Sequence, residues 1–104
     1  MISNEITLKL NNGEIVNLCL NFKSLLKVKN NYPDVYESFN KVVLYGTQKD
    51  TDFFELVSVI YTGYLCANMD NKDRYTYEEF RDLIPLNMKL ITDIQDVLLG
   101  IRKN

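Results

Sequence analysis

Apolar and polar residues alternate over the first twenty positions. Ile6, Leu8 and Leu10 share one face of a run that starts at Glu5, and Val16, Leu18 and Leu20 share one face of a second run. Between the runs stands Asn11-Asn12-Gly13-Glu14. Asn-Gly accepts positive φ at both central positions of a type I′ turn, whose twist suits antiparallel strands, so the pattern predicts a β-hairpin over about residues 5–20. A lone hairpin is barely stable in water, so its apolar face needs helices or further strands against it.

After Leu20 the period becomes helical. Asn21 is placed to cap a short helix carrying Phe22, Leu25, Leu26 and Val28, and Tyr32, pushed out of helical geometry by Pro33, stops it near Asn30-Asn31. Pro33 suits the first turn of a second helix, where Val35, Tyr36, Phe39, Val42 and Val43 form a buried stripe and Gly46 closes the last turn. Its solvent face is Glu37, Asn40 and Lys41. Asp52 and Glu55 have capping-box spacing and open a third helix running to about Asn68. Phe53, Phe54, Leu56, Val57, Ile60, Tyr61, Tyr64, Leu65 and Ala67 cover most of its circumference, leaving a narrow polar strip of Glu55, Ser58 and Thr62. Such a helix is central either to a fold or to an interface.

Thr76-Tyr77-Glu78-Glu79 is a second capping box, with Tyr75 placed to staple onto Phe80. Ile84-Pro85 interrupts this fourth helix. A last helix is expected from about Leu86 to Ile101, with Leu90, Ile91, Ile94, Val97, Leu98 and Ile101 on one side and Arg102 and Lys103 at its negative end. No repeat or linker divides the chain. The expected fold is therefore one α+β domain spanning residues 1–104, an N-terminal hairpin followed by four to five α-helices packed as a small bundle.

Composition narrows the chemistry. With 46% hydrophobic and 25% charged residues the chain falls among globular proteins. Twelve Lys and Arg are scattered among 14 Asp and Glu for a net charge of -2, which leaves no broad positive field and argues against a nucleic-acid partner. Lys23, Lys27 and Lys29 beside Phe22 read as the wet side of a short helix. No apolar run approaches the ~18 residues of a membrane span, and the start has no leader pattern, so a cytoplasmic, non-membrane protein is expected. Cys19 and Cys66 lack the spacing of a metal knuckle or redox pair and are expected as buried free thiols.

The chain contains no histidine, which removes the usual general base near neutral pH and the commonest transition-metal ligand. Asp70, Asp73, Glu78, Glu79 and Asp82 cluster around a turn, where carboxylates are ordinarily solvated, and the four glycines form no phosphate loop. No catalytic residue, metal ligand or cofactor is assigned, and the expected activity is binding. Asn68 to Phe80 has the outline of a calcium loop between two helices. Aligning Glu79 with the bidentate ligand puts Lys72 on a ligand position and Asp73 where the sharp turn requires glycine, so a capped helix start explains the segment more simply.

Binding needs a surface. In the last helix Met88, Thr92, Gln95 and Leu99 make a second stripe, read as lying roughly opposite the core-facing residues, and the third helix carries more apolar area than one domain needs to bury. Met88, Gln95, Leu99, Tyr61 and Tyr64 are the candidate partner-binding residues, and self-association into a homo-oligomer is the first expectation.

The order of these elements carries a resemblance. Ile6-Thr7-Leu8-Lys9-Leu10, Asn12-Gly13-Glu14, Val16 through Leu20 and Asn21-Phe22-Lys23-Ser24-Leu25-Leu26 follow one another directly. Phe53-Phe54-Glu55-Leu56-Val57, Tyr64-Leu65-Cys66-Ala67, Tyr77-Glu78-Glu79-Phe80 and an amphipathic end come after them. In this layout the chain resembles the tail assembly chaperones of long-tailed bacteriophages and prophages of low-GC Gram-positive hosts, along its whole length but without an invariant motif. The resemblance implies a non-enzymatic chaperone that coats the helical tape measure protein until tail tube subunits polymerise around it, with the tape measure protein and the tail tube protein as partners. It also implies oligomers and a longer frameshifted product, and it brings no catalytic or ligand residues. The alternative reading is a small helix-loop-helix regulatory or calcium-responsive binding module.

Overall fold

The computed structural model describes residues 4–45 and 53–100. Strands β1 (Asn4–Lys9) and β2 (Ile15–Leu20) pair antiparallel, followed by α1 (Phe22–Asn31), α2 (Pro33–Tyr45), α3 (Phe53–Ala67), α4 (Tyr77–Leu83) and α5 (Met88–Leu98). The architecture is the expected α+β arrangement of a hairpin and five helices.

Ile6 pairs with Leu18 and Leu8 with Val16, which puts both apolar sets on the same face of the hairpin. The turn between them differs from the type I′ expectation. Gly13 N–H donates to the Leu10 carbonyl at 2.9 Å, Leu10 N–H donates to the Glu14 carbonyl at 2.8 Å, and only Gly13 has positive φ (91°). This is a three-residue loop with a glycine bulge. A two-residue Asn12-Gly13 loop would pair even-numbered with odd-numbered residues and throw one apolar set to the opposite face. Asn12 instead uses its side-chain oxygen to accept from Glu14 N–H at 3.0 Å. The loop is fastened to the far end of α4, since Asn11 donates its N–H to Leu83 at 2.8 Å and its side-chain amide to the Ile84 carbonyl at 3.3 Å.

α3 is the axis of the domain and packs against β2, α2, α5, α1 and α4. Every residue from Leu56 to Cys66 is buried, so Ser58 and Thr62 of the narrow polar strip lie inside while Glu55 stays half-buried. The two hydroxyls tolerate this because they donate within the helix, Ser58 to the Phe54 carbonyl at 3.2 Å and Thr62 to the Ser58 carbonyl at 2.7 Å. Gly63 lets α5 approach closely: a Cβ there would stand 3.1 Å from Leu98 Cδ1.

Asn21 caps α1 by accepting from Ser24 N–H at 2.8 Å, and Tyr32, at φ -135° and ψ 63°, ends it outside helical geometry before Pro33. The Thr76–Glu79 capping box forms in both directions. α5 starts two residues later than expected, because Asn87 takes the capping position and accepts from Leu90 N–H at 3.1 Å. Gly100 (φ 76°) follows its C-terminus. Tyr75, just before the α4 cap, has its ring 6.1 Å from that of Tyr64, and its hydroxyl donates to the Glu14 carboxylate across to the hairpin. Cys66 is buried and Cys19 only half-buried, both free. The expected closing Gly46, the Asp52 cap and the terminal Ile101, Arg102 and Lys103 lie outside the described residues. Among the described residues no helix is long and apolar enough to cross a membrane.

Candidate functional site

Large exposed apolar side chains concentrate where α1 and α2 diverge. Phe22 is 87% exposed, Leu26 58%, Val43 43% and Leu44 66%. Phe22, Leu26 and Val43 edge a groove of about 540 Å³ whose other lining includes Leu20, Leu25, Phe39, Leu98 and Leu99. Phe39 belongs to a small secondary core with Val42 and Val59, joined by Leu20, Leu25, Tyr36 and Leu99. The groove is thus a cleft above a satellite core that α1, α2 and the end of α5 leave open, in the size range of roughly 300–1,000 Å³ usual for binding clefts.

The local sequence explains why it stays open. At 100° per residue the apolar residues of α1 span roughly 160°, from Val28 through Leu25 and Phe22 to Leu26, more than the roughly 100° a core-facing stripe requires. Val28 and Leu25 turn inward, which leaves Phe22 and Leu26 outward on the same helix. In α2, Phe39 and Val42 are buried, whereas Val43, expected in the buried stripe, stands half out with Leu44 beyond it.

The sequence-derived candidates scatter. Leu99 lines the groove and is half-buried. Met88 is 52% exposed at the opposite end of α5. Gln95 is wholly buried, and neither its amide nitrogen nor its oxygen has a partner. Its assignment to an outward stripe is corrected: it lies only about 40° around the helix from core-facing Ile91, whereas Met88 and Thr92 of the same stripe are exposed. Tyr61 and Tyr64 are also corrected, at 3% and 2% exposure. Their rings pack on Phe80 at 5.4 and 4.8 Å, Tyr61 donates to the Tyr75 carbonyl at 2.9 Å, and Tyr64 oxygen accepts from Tyr75 N–H at 2.8 Å. Burial pushes the Tyr61 phenol up to about 12 and raises that of Tyr64. These tyrosines hold the α3–α4 connection to the core. Phe22, Leu26 and Val43 were missed as surface groups, and the excess width of the α1 stripe was the signal that marked the first two.

Two other clefts are more polar. One of about 470 Å³ lies beside α1 and the end of α3, lined among others by Lys23, Lys27, Asn68, Asp70 and Cys66. Burial pushes the Cys66 thiol up to about 12 and also raises Cys19, which favours the unreactive protonated form. The other, about 480 Å³, is lined by Tyr32, Tyr61, Lys72, Arg74 and Tyr77. The segment with the outline of a calcium loop is organised by Arg74. Its guanidinium donates to the Met69 and Asn71 carbonyls at 3.0 Å each and to the Tyr32 hydroxyl. Glu79 accepts from Thr76 N–H, and the Asn68 amide donates to the Tyr64 carbonyl. Among the described residues no group of three or more His, Cys, Asp or Glu is placed to hold a metal ion.

No family model, no curated protein and no solved structure matches this chain.

Proposed function

We propose that the protein is a binding protein which seats an apolar α-helical segment in the groove between α1, α2 and the end of α5. In this reading it acts as a phage tail assembly chaperone for the tape measure protein. The observation that carries the proposal is the placement of Phe22, Leu26 and Val43, three large apolar side chains left in water around a concave apolar floor. Burying each fully would contribute ~1.5–3 kcal/mol, enough together for modest, reversible affinity once the cost of association is deducted. A helix laid into a groove uses apolar anchors one turn apart, and Phe22 and Leu26 present that spacing from the receiving side.

A long tape measure helix offers many equivalent apolar turns, so a cover for it works by repeated weak contacts and assembles as several copies. The tail tube protein, which displaces such a cover, is the second partner in this reading.

The test is co-expression with a tape measure fragment. The fragment is expected to stay soluble and co-purify with the wild-type chain but not with Leu26→Asp or Val43→Asp. A fragment no more soluble with the protein than without it sinks the proposal. Since both positions are exposed, each variant should melt within about 0.5 kcal/mol of wild type, which separates lost binding from lost fold.

A further inference from the structure

Arg74 is a half-buried cation without a counter-ion. It lines the cleft of about 480 Å³ together with Lys72, Tyr32, Tyr61 and Tyr77, and among the described residues neither Arg74 nor Lys72 has an ion-pair partner. Asp73, Glu78 and Glu79 stand close by in the sequence, yet among the described residues no carboxylate lines the cleft, and Glu79 is engaged by Thr76 N–H at 2.9 Å. A chain of net charge -2 thus gathers two cations and no anion around one depression.

The guanidinium is held but not neutralised. Its Nη1 donates to the Met69 and Asn71 carbonyls at 3.0 Å each, its Nη2 donates to the Tyr32 hydroxyl, and its central carbon lies 5.7 Å from the Tyr32 ring centroid. Neutral oxygens and a ring face fix its orientation and leave its charge in place. Nε has no acceptor among the described residues and Nη2 keeps a second hydrogen, the two nitrogens that can grip a carboxylate or phosphate by parallel bonds. Lys72 is exposed, and its flexible stem can carry an ammonium to a further anionic oxygen. The remaining lining suits a flat apolar group. The rings of Tyr61 and Tyr77 stand at 81° with centroids 5.5 Å apart, and half-buried Val35 adds to the wall. The Tyr61 hydroxyl is already used, donating to the Tyr75 carbonyl at 2.9 Å, so Tyr61 can meet a ligand only as a ring.

We propose that this cleft binds a small aromatic anion, its planar ring lying against the tyrosines and Val35 and its carboxylate or phosphate held by Arg74 and Lys72. Arg74 then has two roles: its Nη1 bonds shape the connection between α3 and α4, and its remaining donors face the ligand. The volume falls in the range of roughly 300–1,000 Å³ usual for small-molecule clefts. Two cations are too few for a nucleic-acid backbone, which draws on a broad positive field. The cleft shares no lining residue with the apolar groove, so the two sites stand or fall separately.

The test titrates the isotope-labelled full-length protein with phenyl phosphate, benzoate, phenol and inorganic phosphate, and follows the Arg74 Nε–H signal and the backbone amides of residues 74–77 by NMR. Phenyl phosphate or benzoate is expected to move these signals together and to bind about tenfold tighter than phenol or inorganic phosphate, because ring and charge each contribute. Whichever of the two binds tighter identifies the anionic group. Raising salt to about 0.5 M should weaken it and leave phenol unchanged. Lys72→Glu, at an exposed position with no partner among the described residues, should keep the wild-type melting temperature and weaken the aromatic anion about tenfold. Arg74→Lys keeps the charge, loses the fork and should weaken it at least as much, whereas Leu26→Asp should change nothing here. Equal binding of inorganic phosphate and phenyl phosphate would overturn the aromatic assignment. An Arg74 signal that no probe moves, or a folded Lys72→Glu protein that binds as wild type does, would overturn the site and leave Arg74 a purely structural role.

Discussion

Tyr64 stacks on Phe80, ring centroids 4.8 Å apart and planes 28° apart, and the pair joins the central helix to α4. Phe80 is wholly buried, and Tyr61 meets it from a second side. Phe80→Ala should therefore cost about 3–5 kcal/mol in urea unfolding, through lost transfer energy and the cavity left behind. Tyr64→Phe keeps the ring and removes the oxygen that accepts from Tyr75 N–H, so about 1–3 kcal/mol is expected. A loss below 1 kcal/mol for Phe80→Ala would contradict this packing.

Gln95 points the other way. Its amide is buried without a hydrogen-bond partner for either polar atom, and such a group costs about 1–3 kcal/mol. Gln95→Met keeps the length and removes both unsatisfied atoms, so the variant should be more stable by about that amount. Denaturant midpoints at constant m-value give the measurement, and a destabilised variant would show that the amide has found a partner.

The capping box should behave as a helix start and not as a ligand set. Thr76→Ala should lose about 1 kcal/mol. Glu79→Gln should lose little, because glutamine also serves at that position. Millimolar calcium should leave the melting temperature unchanged in all three proteins. A calcium-dependent rise that Glu79→Gln abolishes would restore the calcium reading.

Alkaline pH should unfold the core. Tyr61 and Cys66 ionise near 12 in the folded chain against ordinary values of 10.0 and 9.0, in both cases chiefly through burial. The folded state then holds protons that the unfolded state has released, so stability falls as pH rises. The contribution is complete below pH 9 and disappears between about pH 9 and 12. Urea midpoints across that range should drop, and less steeply in Cys66→Val and Tyr61→Phe. A flat profile to pH 12 would mean that these groups are not shielded.

Much of the fold was legible before any coordinate. The parity of the apolar residues requires an odd loop in the hairpin, and the three-residue turn satisfies it, although the Asn-Gly pair alone suggested a shorter one. Asn21, Pro33 and Thr76 placed helix starts through bonds made within a few residues of themselves. Asn87 did the same unnoticed, and its cap moved the start of α5 past the exposed Leu86. The candidate site was far less legible. Tyr61 and Tyr64 look identical in sequence whether they face a partner or Phe80. A helix apolar on nearly every side can be central to a fold or to an interface, and only its neighbours separate the two.

The amino-acid order by itself determined the elements and their inward faces, because alternation, helical period and capping act over a few residues and need no distant contact. Tertiary structure alone decided which of the surplus apolar groups stay in water. That outcome follows from geometry: α3 is enclosed from Leu56 to Cys66 by the hairpin and the other helices, whereas α1 and α2 meet it over only part of their wide apolar arcs. Among the described residues no element packs over Phe22, Leu26 and Val43, and the cleft they edge exists only once the chain has folded.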